Sequence, residues 1–420
     1  MRVLIWTQYF WPENFHINAV ARNLQAQGVK VTVLTGKPNY PEGEIFAGYK
    51  AMGMQHEEYC GFEVIRIPLR QRGKNSAKGL ALNYLSFMVS GYLYAPYALR
   101  GKKFDAIFVY APSPLLQALP AIFVAWLKGA PIVLWVQDIW PDALASTGFI
   151  KNRWILRLVG LAVRYIYHFS DSILIQSEGF RTFVERWTGS KERIRFYPNT
   201  VEEMPVEVLT EFKDSSTAND VARGFSVVFA GNIGTAQSCE TIIEAASLLQ
   251  SIPEIKFYLI GGGSMAKSIG NNIAACQLEN VVMTGRVPAE DMPPIYASAS
   301  VLLLTLRDEP ALLSTIPSKL QSYLAAGKPI IASATGESAN IVNNASAGLT
   351  CPAGDAGALA EAVIKLYELP VEKRVRFGQN GRKYYETHYH LQTRVTELVE
   401  HLKDVSGVFG EYQTKKGGLL

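Results

Sequence analysis

Short apolar runs rich in β-branched residues recur along this chain, separated by stretches of helical length. The runs VLIWT (3–7), KVTVLT (30–35), EVIRI (63–67), DAIFVY (105–110), PIVLWVQ (131–137) and DSILIQ (171–176) predict buried parallel strands. Segments 15–27 and 115–128 predict helices between them. Residues 201–224 change character: they are acidic, polar and rich in turn formers, as a linker would be. A second series follows, FSVVFAG (225–231), KFYLIGG (256–262), NVVMTG (280–285), SVLLLT (300–305) and PIIAS (329–333). From about Glu386 the pattern predicts a helix that ends in a frayed basic tail, KKGG. The expected fold is therefore α/β, with a Rossmann-like domain over 1–200, a linker over 201–224, a second Rossmann-like domain over 225–385, and a helix and tail over 386–420. Two such sheets predict a ligand cleft where the domains face each other.

Length and composition agree with that pattern. A chain of 420 residues exceeds one ordinary core. With 48% hydrophobic and 19% charged residues, it matches a globular protein with large buried sheets. The net charge of +4 gives no argument for a nucleic-acid partner. Cys60, Cys239, Cys276 and Cys351 lie far apart, so neither a zinc ribbon nor a disulfide framework is predicted, and a reducing, cytoplasmic setting is the simpler expectation. The start, MRVLIWTQYFWPEN, predicts a buried first strand rather than a signal peptide. Stretches 79–99 and 106–127 carry no charge, but prolines, tyrosines and polar residues dilute them, which predicts peripheral membrane contact rather than a span.

Several places combine the residues that nucleotide-sugar chemistry needs. GNIGTAQ (231–237), with Gly231, Asn232 and Gly234, lies between a strand and a helix, where backbone N–H groups approach a phosphate. IGGGS (260–264) repeats that junction with Gly261, Gly262 and Gly263; both turns suit a ligand and also any tight βα connection. In STIPSKLQSYLAAGKP (314–329) the hydroxyls of Ser314, Thr315 and Ser318, with Lys319, gather at a helix start that suits a diphosphate; an ordinary cap with a solvated lysine is the alternative. In VQDIWPDAL (136–144), Asp138 and Asp142 follow a buried strand, where a carboxylate either takes a proton from an acceptor hydroxyl or holds its loop. QYFWPENFH (8–16) and TGKPNYPEG (35–43) contribute Trp11, Glu13, Asn14, His16, Lys37 and Asn39, polar and aromatic groups suited to an acceptor sugar. KNRWILRLVGLAVRYIYHF (151–169) predicts a helix with Arg153, Arg157 and Arg164 on one side. Trp154, Ile155, Leu158, Leu161, Ala162, Tyr165 and Ile166 fall on the other, as in a helix lying at a membrane interface. No D-x-D occurs, so metal-independent chemistry is expected, with Lys, Arg and helix N-termini balancing a leaving diphosphate.

YFWPEN, TGKPNYPEG, QDIWPD, YPNTVE (197–202), AGNIGTAQ and IPSKLQSYLAAGKPI together resemble glycosyltransferase family 4, in the branch of bacterial O-antigen and colanic-acid transferases that includes N-acetyl-L-fucosaminyltransferases. The resemblance covers essentially the whole chain. It implies the GT-B fold, no metal or other cofactor, a UDP-sugar donor, a polyprenyl-diphosphate-linked sugar acceptor, and work at the cytoplasmic surface of the inner membrane. Family members usually carry an arginine and a lysine where this chain has Asn232 and Gln237, and two glutamates where it has Ser314 and Ser322. Diphosphate binding then leans on Lys319, Arg286 and backbone N–H groups, with Asp308 or Glu309 as the replacement for a missing glutamate. Stereochemistry stays open; if the reaction inverts, Asp138 is the general base. An epimerase of the same fold and a non-catalytic nucleotide-sugar scaffold are the alternatives.

Overall fold

The computed structural model describes residues 1–73, 77–146, 152–201 and 216–417. They form two compact units, Met1–Asn199 with Leu391–Leu420, and Thr200–His390. Most of the expected linker, 202–215, lies outside the described residues.

The first unit holds β1 (Arg2–Trp6), β2 (Lys30–Thr35), β3 (Gln55–Tyr59), β4 (Phe62–Arg66), β5 (Ala106–Ala111), β6 (Ile132–Val136), β7 (Ser172–Ile175) and β8 (Ile194–Phe196). Their order is β3-β4-β2-β1-β5-β6-β7-β8. All neighbours are parallel except β3 and β4. The direction of strand succession reverses between β1 and β5, with Ile5 of β1 paired to Val33 and to Phe108, so ligand-bearing loops gather beyond the carboxyl ends there. Helices α1 (His16–Ala26), α2 (Ala77–Ala98), α3 (Ala118–Lys128), α4 (Asp142–Ser146), α5 (Arg153–His168) and α6 (Arg181–Thr188) complete the unit's first pass. The central strands β1, β5, β6 and β7 are predominantly apolar because both faces are covered. Phe87, Ala95, Val124, Val163 and Ile166 pack on one face, and Ile17, Val20 and Leu24 of α1 pack on the other.

The second unit comprises α7 (Ser216–Val221), β9 (Phe225–Ala230), α8 (Cys239–Leu248), β10 (Ile255–Ile260), α9 (Ala266–Ala275), β11 (Val281–Gly285), α10 (Met292–Ser298), β12 (Val301–Thr305), α11 (Pro310–Leu313), α12 (Ser318–Ala326), β13 (Ile330–Ser333), α13 (Glu337–Asn344), β14 (Gly348–Cys351), α14 (Ala356–Glu368) and α15 (Val371–His388). Its all-parallel sheet runs β11-β10-β9-β12-β13-β14, with the reversal between β9 and β12.

The structure differs from the sequence expectation in three respects. Three strands were not legible: β3 (QHEEY) is a charged edge strand, and β8 and β14 are short. Glu386 falls inside α15 of the second unit, so no separate element begins there. Lys415–Gly417 of the expected frayed tail continue a helix, α16 (Leu391–Gly417), and the rest of that tail, 418–420, lies outside the described residues. Leu391, Val395, Leu398, Val399 and Leu402 of α16 are buried in the first unit's core beside α1, and His401 shares a 2.7 Å hydrogen bond with Ser172 of β7.

Candidate active site

In the second unit, the turns after β9, β10 and β11 are laced together. Gly231 N–H donates to Ile260 O (2.8 Å), Gly261 N–H to Gly285 O (2.8 Å) and Ile233 N–H to Gly262 O (2.9 Å). A Cβ on Gly261 would lie 1.8 Å from the Gly231 carbonyl oxygen, and one on Gly263 would lie 2.3 Å from that of Ile233. Chain packing alone therefore accounts for these two glycines. Gly231 shares with Gly261 a φ of +143° that excludes most side chains, but the space its Cβ would fill is bounded by Lys319 Nζ at 3.1 Å rather than by backbone.

Lys319 is the second residue of α12, a helix that Pro317 opens without a side-chain cap and Gly327 ends in the left-handed conformation. Its Nζ donates to Gln237 Oε1 and sits 4.1 Å from the centre of the Phe229 ring. Burial lowers its pKa from 10.5 to about 8, against a smaller opposing pull from Cys239, whose own thiol burial pushes up to about 11. Among the described residues no carboxylate pairs with Lys319. A half-buried ammonium, the uncapped N–H groups of α12 and the turn after β9 thus converge beside the switch point.

The neighbours have distinct placements. Asn232 is exposed, with its amide against Gly234, and the exposed Arg286 crosses the Gly262 turn. Ser314 ends α11; Thr315 and Ser318 lead into α12; Ser322 turns its hydroxyl back to Ser318 O at 3.5 Å. Asp308 accepts from Thr335 Oγ1 (2.9 Å), and exposed Glu309 precedes α11.

In the first unit, Asp138 follows β6 within a cluster drawn from three loops, β5 and α2. Ser113 Oγ is hydrogen-bonded to Asp138 and accepts from Trp140 Nε1 at 3.2 Å. The Tyr84 hydroxyl neighbours Ser113 and the Tyr9 hydroxyl, and buried Tyr110 lies within the field of Asp138. Burial raises the Asp138 pKa, partly offset by the Ser113 bond, so the carboxylate is a stronger base than an exposed one. Tyr9, Tyr84, Ser113 and Trp140 were not singled out from the sequence. The available signals were the P-S-P after β5 and the polar residues within stretch 79–99.

The other sequence candidates separate by burial. Glu13 is buried and accepts from the N–H groups of Asn39 (2.8 Å), Tyr40 (2.8 Å) and Phe10 (3.3 Å); burial nevertheless pushes it up to about 7. Lys37 is buried, donates to Gln55 Oε1 (3.3 Å), and is lowered to about 8 by burial and then by Arg66. Asn39 is buried between Lys37 O and Asn83. These three hold the β1 and β2 loops together with almost no exposed surface, in contrast to the expectation of exposed polar groups at an acceptor site. Trp11 is partly exposed and stacks on Tyr59 at 4.9 Å; Asn14 is exposed; His16 is half-buried at the start of α1. Asp142 begins α4 and lies 3.9 Å from Arg186, in the field of Tyr167, so it serves the α5–α6 side rather than the Asp138 cluster.

Helix α5 also departs from the expected division. Val163 and Ile166 are buried in the core, whereas Trp154, Ile155, Leu158, Leu161 and Tyr165 point outward together with Arg153, Arg157 and Arg164. Arg157 lies over the Trp154 ring at 5.1 Å. Among the described residues, 13 of 21 exposed large hydrophobics sit on α2, α3 and α5 or at Phe169, which concentrates exposed apolar surface on these three helices, beside the arginines of α5. No helix among the described residues is long and apolar enough to cross a membrane, and no cluster that would hold a metal occurs among them.

Comparison with known proteins places these features. Residues 14–200 match the family described as Glycosyl transferase 4-like domain, and residues 215–384 match Glycosyl transferases group 1. A putative colanic acid biosynthesis glycosyl transferase, WcaI, of Escherichia coli (strain K12) is 26% identical over 337 residues, 78% of this chain and 82% of that protein. Sucrose-phosphate synthase from Thermosynechococcus elongatus superposes with a TM-score of 0.73 at 17% identity, covering 97% of this chain and 99% of its own. The Anabaena protein HepE, solved in complex with UDP, gives 0.69 at 15% identity, covering 96% and 100%.

Proposed function

Because the chain is a glycosyltransferase of the GT-B fold, we propose that it builds a cell-surface polysaccharide by moving a sugar from a UDP-sugar to a polyprenyl-diphosphate-linked sugar. The observation that carries this reading is Lys319: a half-buried ammonium with no carboxylate partner among the described residues, at an uncapped helix start beside Gly231. A diphosphate supplies the missing anion. Gly231, Asn232, Gly234 and Gly261–Gly263 then bring backbone to the nucleotide, while Arg286, Ser314, Thr315, Ser318 and Ser322 complete the donor site. The HepE complex with UDP supports a uridine nucleotide, and the WcaI likeness supports polysaccharide synthesis.

The proposed donor sugar is N-acetyl-L-fucosamine, from the sequence resemblance. Asp138 takes the proton of the acceptor hydroxyl as the C–O bond to the anomeric carbon forms. UDP departs with the electron pair of the broken bond, and Lys319 stabilises its charge without a metal. Trp11, Asn14 and His16 remain candidates for acceptor contact. The α2–α3–α5 face supports peripheral attachment to the cytoplasmic side of the inner membrane, where anionic lipids attract Arg153, Arg157 and Arg164.

The test is UDP release from a panel of UDP-sugars in EDTA, with and without polyprenyl-diphosphate-GlcNAc. Acceptor-dependent release from one donor is expected. Conversion of a UDP-sugar without acceptor would support an epimerase instead, and release only after a metal is added would refute metal independence.

A further inference from the structure

A cavity of about 760 Å³ lies between the loop after β4 and helix α2, lined mostly by apolar atoms. Ala51, Met52, Pro68, Leu69 and Leu93 supply much of that lining, and Arg70 and Arg72 stand in its wall. It falls in the size range of ligand pockets. Its inner loop is tied down: Ser86 Oγ accepts from Arg70 N–H (3.0 Å), and Asn83 Nδ2 donates to Arg70 O (2.6 Å). Gln8 in turn donates to Asn83 Oδ1 (2.7 Å), which links this wall to the β1 loop.

The cavity connects two features already described. Leu93 lines it and is also 68% exposed on the apolar face of α2, so one end opens toward the surface that faces lipid under the functional reading. At the other end, the Arg72 guanidinium lies 5.6 Å from the Tyr40 ring, which is 5.7 Å from Tyr9. Tyr9 neighbours Tyr84, and Tyr84 neighbours Ser113 beside Asp138. Among the described residues neither Arg70 nor Arg72 is in an ion pair.

We propose that this cavity takes the first isoprene units of the lipid-linked acceptor, and that Arg70 and Arg72 hold its diphosphate so that the attached sugar reaches Asp138. The inference rests on the functional reading and goes beyond it by assigning the lipid and its diphosphate a site. The charges are complementary, two cations to a diphosphate, and the apolar lining matches an isoprenoid and not a free phosphate or a soluble sugar. Both arginines offer forked donors suited to phosphate oxygens.

The test uses the full chain with a benzophenone-tagged C15 isoprenyl diphosphate as photoprobe. Labelling is expected on the segments that contain Met52 and Leu93, with competition by polyprenyl-diphosphate-GlcNAc and by untagged isoprenyl diphosphate. Labelling elsewhere, or equal competition by phosphatidylglycerol vesicles, would overturn the assignment in favour of a general lipid surface. In parallel, Arg70→Gln with Arg72→Gln is expected to raise KM for the lipid acceptor by on the order of tenfold or more. Ser90→Trp, which fills the cavity, raises it for a long isoprenoid but not for a short-chain acceptor. Slow acceptor-independent hydrolysis of the donor reports that each variant is folded. Transfer by the wild type with unchanged KM in both variants overturns the cavity while leaving the functional reading intact. No transfer to any lipid acceptor sinks that reading, and the photoprobe still decides the cavity.

Discussion

Replacing Lys319 by Met separates stability from binding in opposite directions. In the free protein the ammonium is half-buried, with the Gln237 amide oxygen and the Phe229 ring as its partners among the described residues, and its pKa falls from 10.5 to about 8. A depression of that size corresponds to a cost of ~3 kcal/mol for keeping the charge in the folded state. Lys319→Met removes that cost and the contact to Gln237, so the second unit is expected to gain about 1–3 kcal/mol at pH 7. The sign is specific to pH. Below about 8 both folded and unfolded lysines are charged and the cost is full; between about 8 and 10.5 the folded lysine loses its proton first, and wild-type stability rises toward that of the variant. Binding moves the other way. Loss of charge-assisted hydrogen bonds to a diphosphate costs about 1.5–3 kcal/mol, so UDP affinity should fall roughly 10- to 150-fold. Urea unfolding at pH 7 and pH 10, with titration calorimetry of UDP, measures both. A variant that is less stable at pH 7, or that binds UDP within about twofold of wild type, would refute the placement of the diphosphate on Lys319.

Asp138→Asn should lower transfer by about 10²- to 10⁴-fold with UDP binding unchanged, and the wild-type acidic limb of kcat should lie above the ordinary carboxylate range because burial raises this group; comparable turnover in the Asn variant would remove the base assignment. His401, buried beside Ser172, has its pKa lowered from 6.5 to about 4 by burial. Its contribution is therefore fully present above pH 6.5 and is lost, up to ~3 kcal/mol, as pH falls toward 4. His401→Gln should flatten the dependence of the urea midpoint on pH across that window, and an unchanged slope counts against the buried neutral ring. Leu158→Glu with Leu161→Glu places two charges on exposed positions of α5, so unfolding should change by under ~0.5 kcal/mol while sedimentation with anionic vesicles drops; undiminished sedimentation would exclude this face.

The fold was legible wherever both faces of a strand are buried, because such strands are uniformly apolar: LIW in β1 and VLLL in β12 cannot be read otherwise. The charged β3 was not, since an edge strand exposes half its residues and QHEEY matches no apolar template. Lys319 was legible as a helix-start cation, but its approach to Gly231 depends on packing between α12 and the turn after β9. Glu13 and Lys37 are buried where the sequence suggested exposed groups, for one reason. Charged side chains are expected at the surface, and only the tertiary arrangement of three backbone donors around Glu13, or of Gln55 beside Lys37, allows them inside. The Asp138 cluster was partly hidden because Tyr9, Tyr84 and Ser113 come from separate loops and α2, and no spacing in the sequence brings them together.

The return of α16 to the first unit also bears on how the protein is made. The second unit is, in chain order, an insertion within the first, and five apolar side chains that complete the first core emerge from the ribosome only after all of it. Until then, α1 and its side of the sheet leave the partner surface for Leu391, Val395, Leu398, Val399 and Leu402 uncovered. The newborn amino-terminal half is accordingly the part that a holding chaperone should engage for longest, even though it is synthesised first.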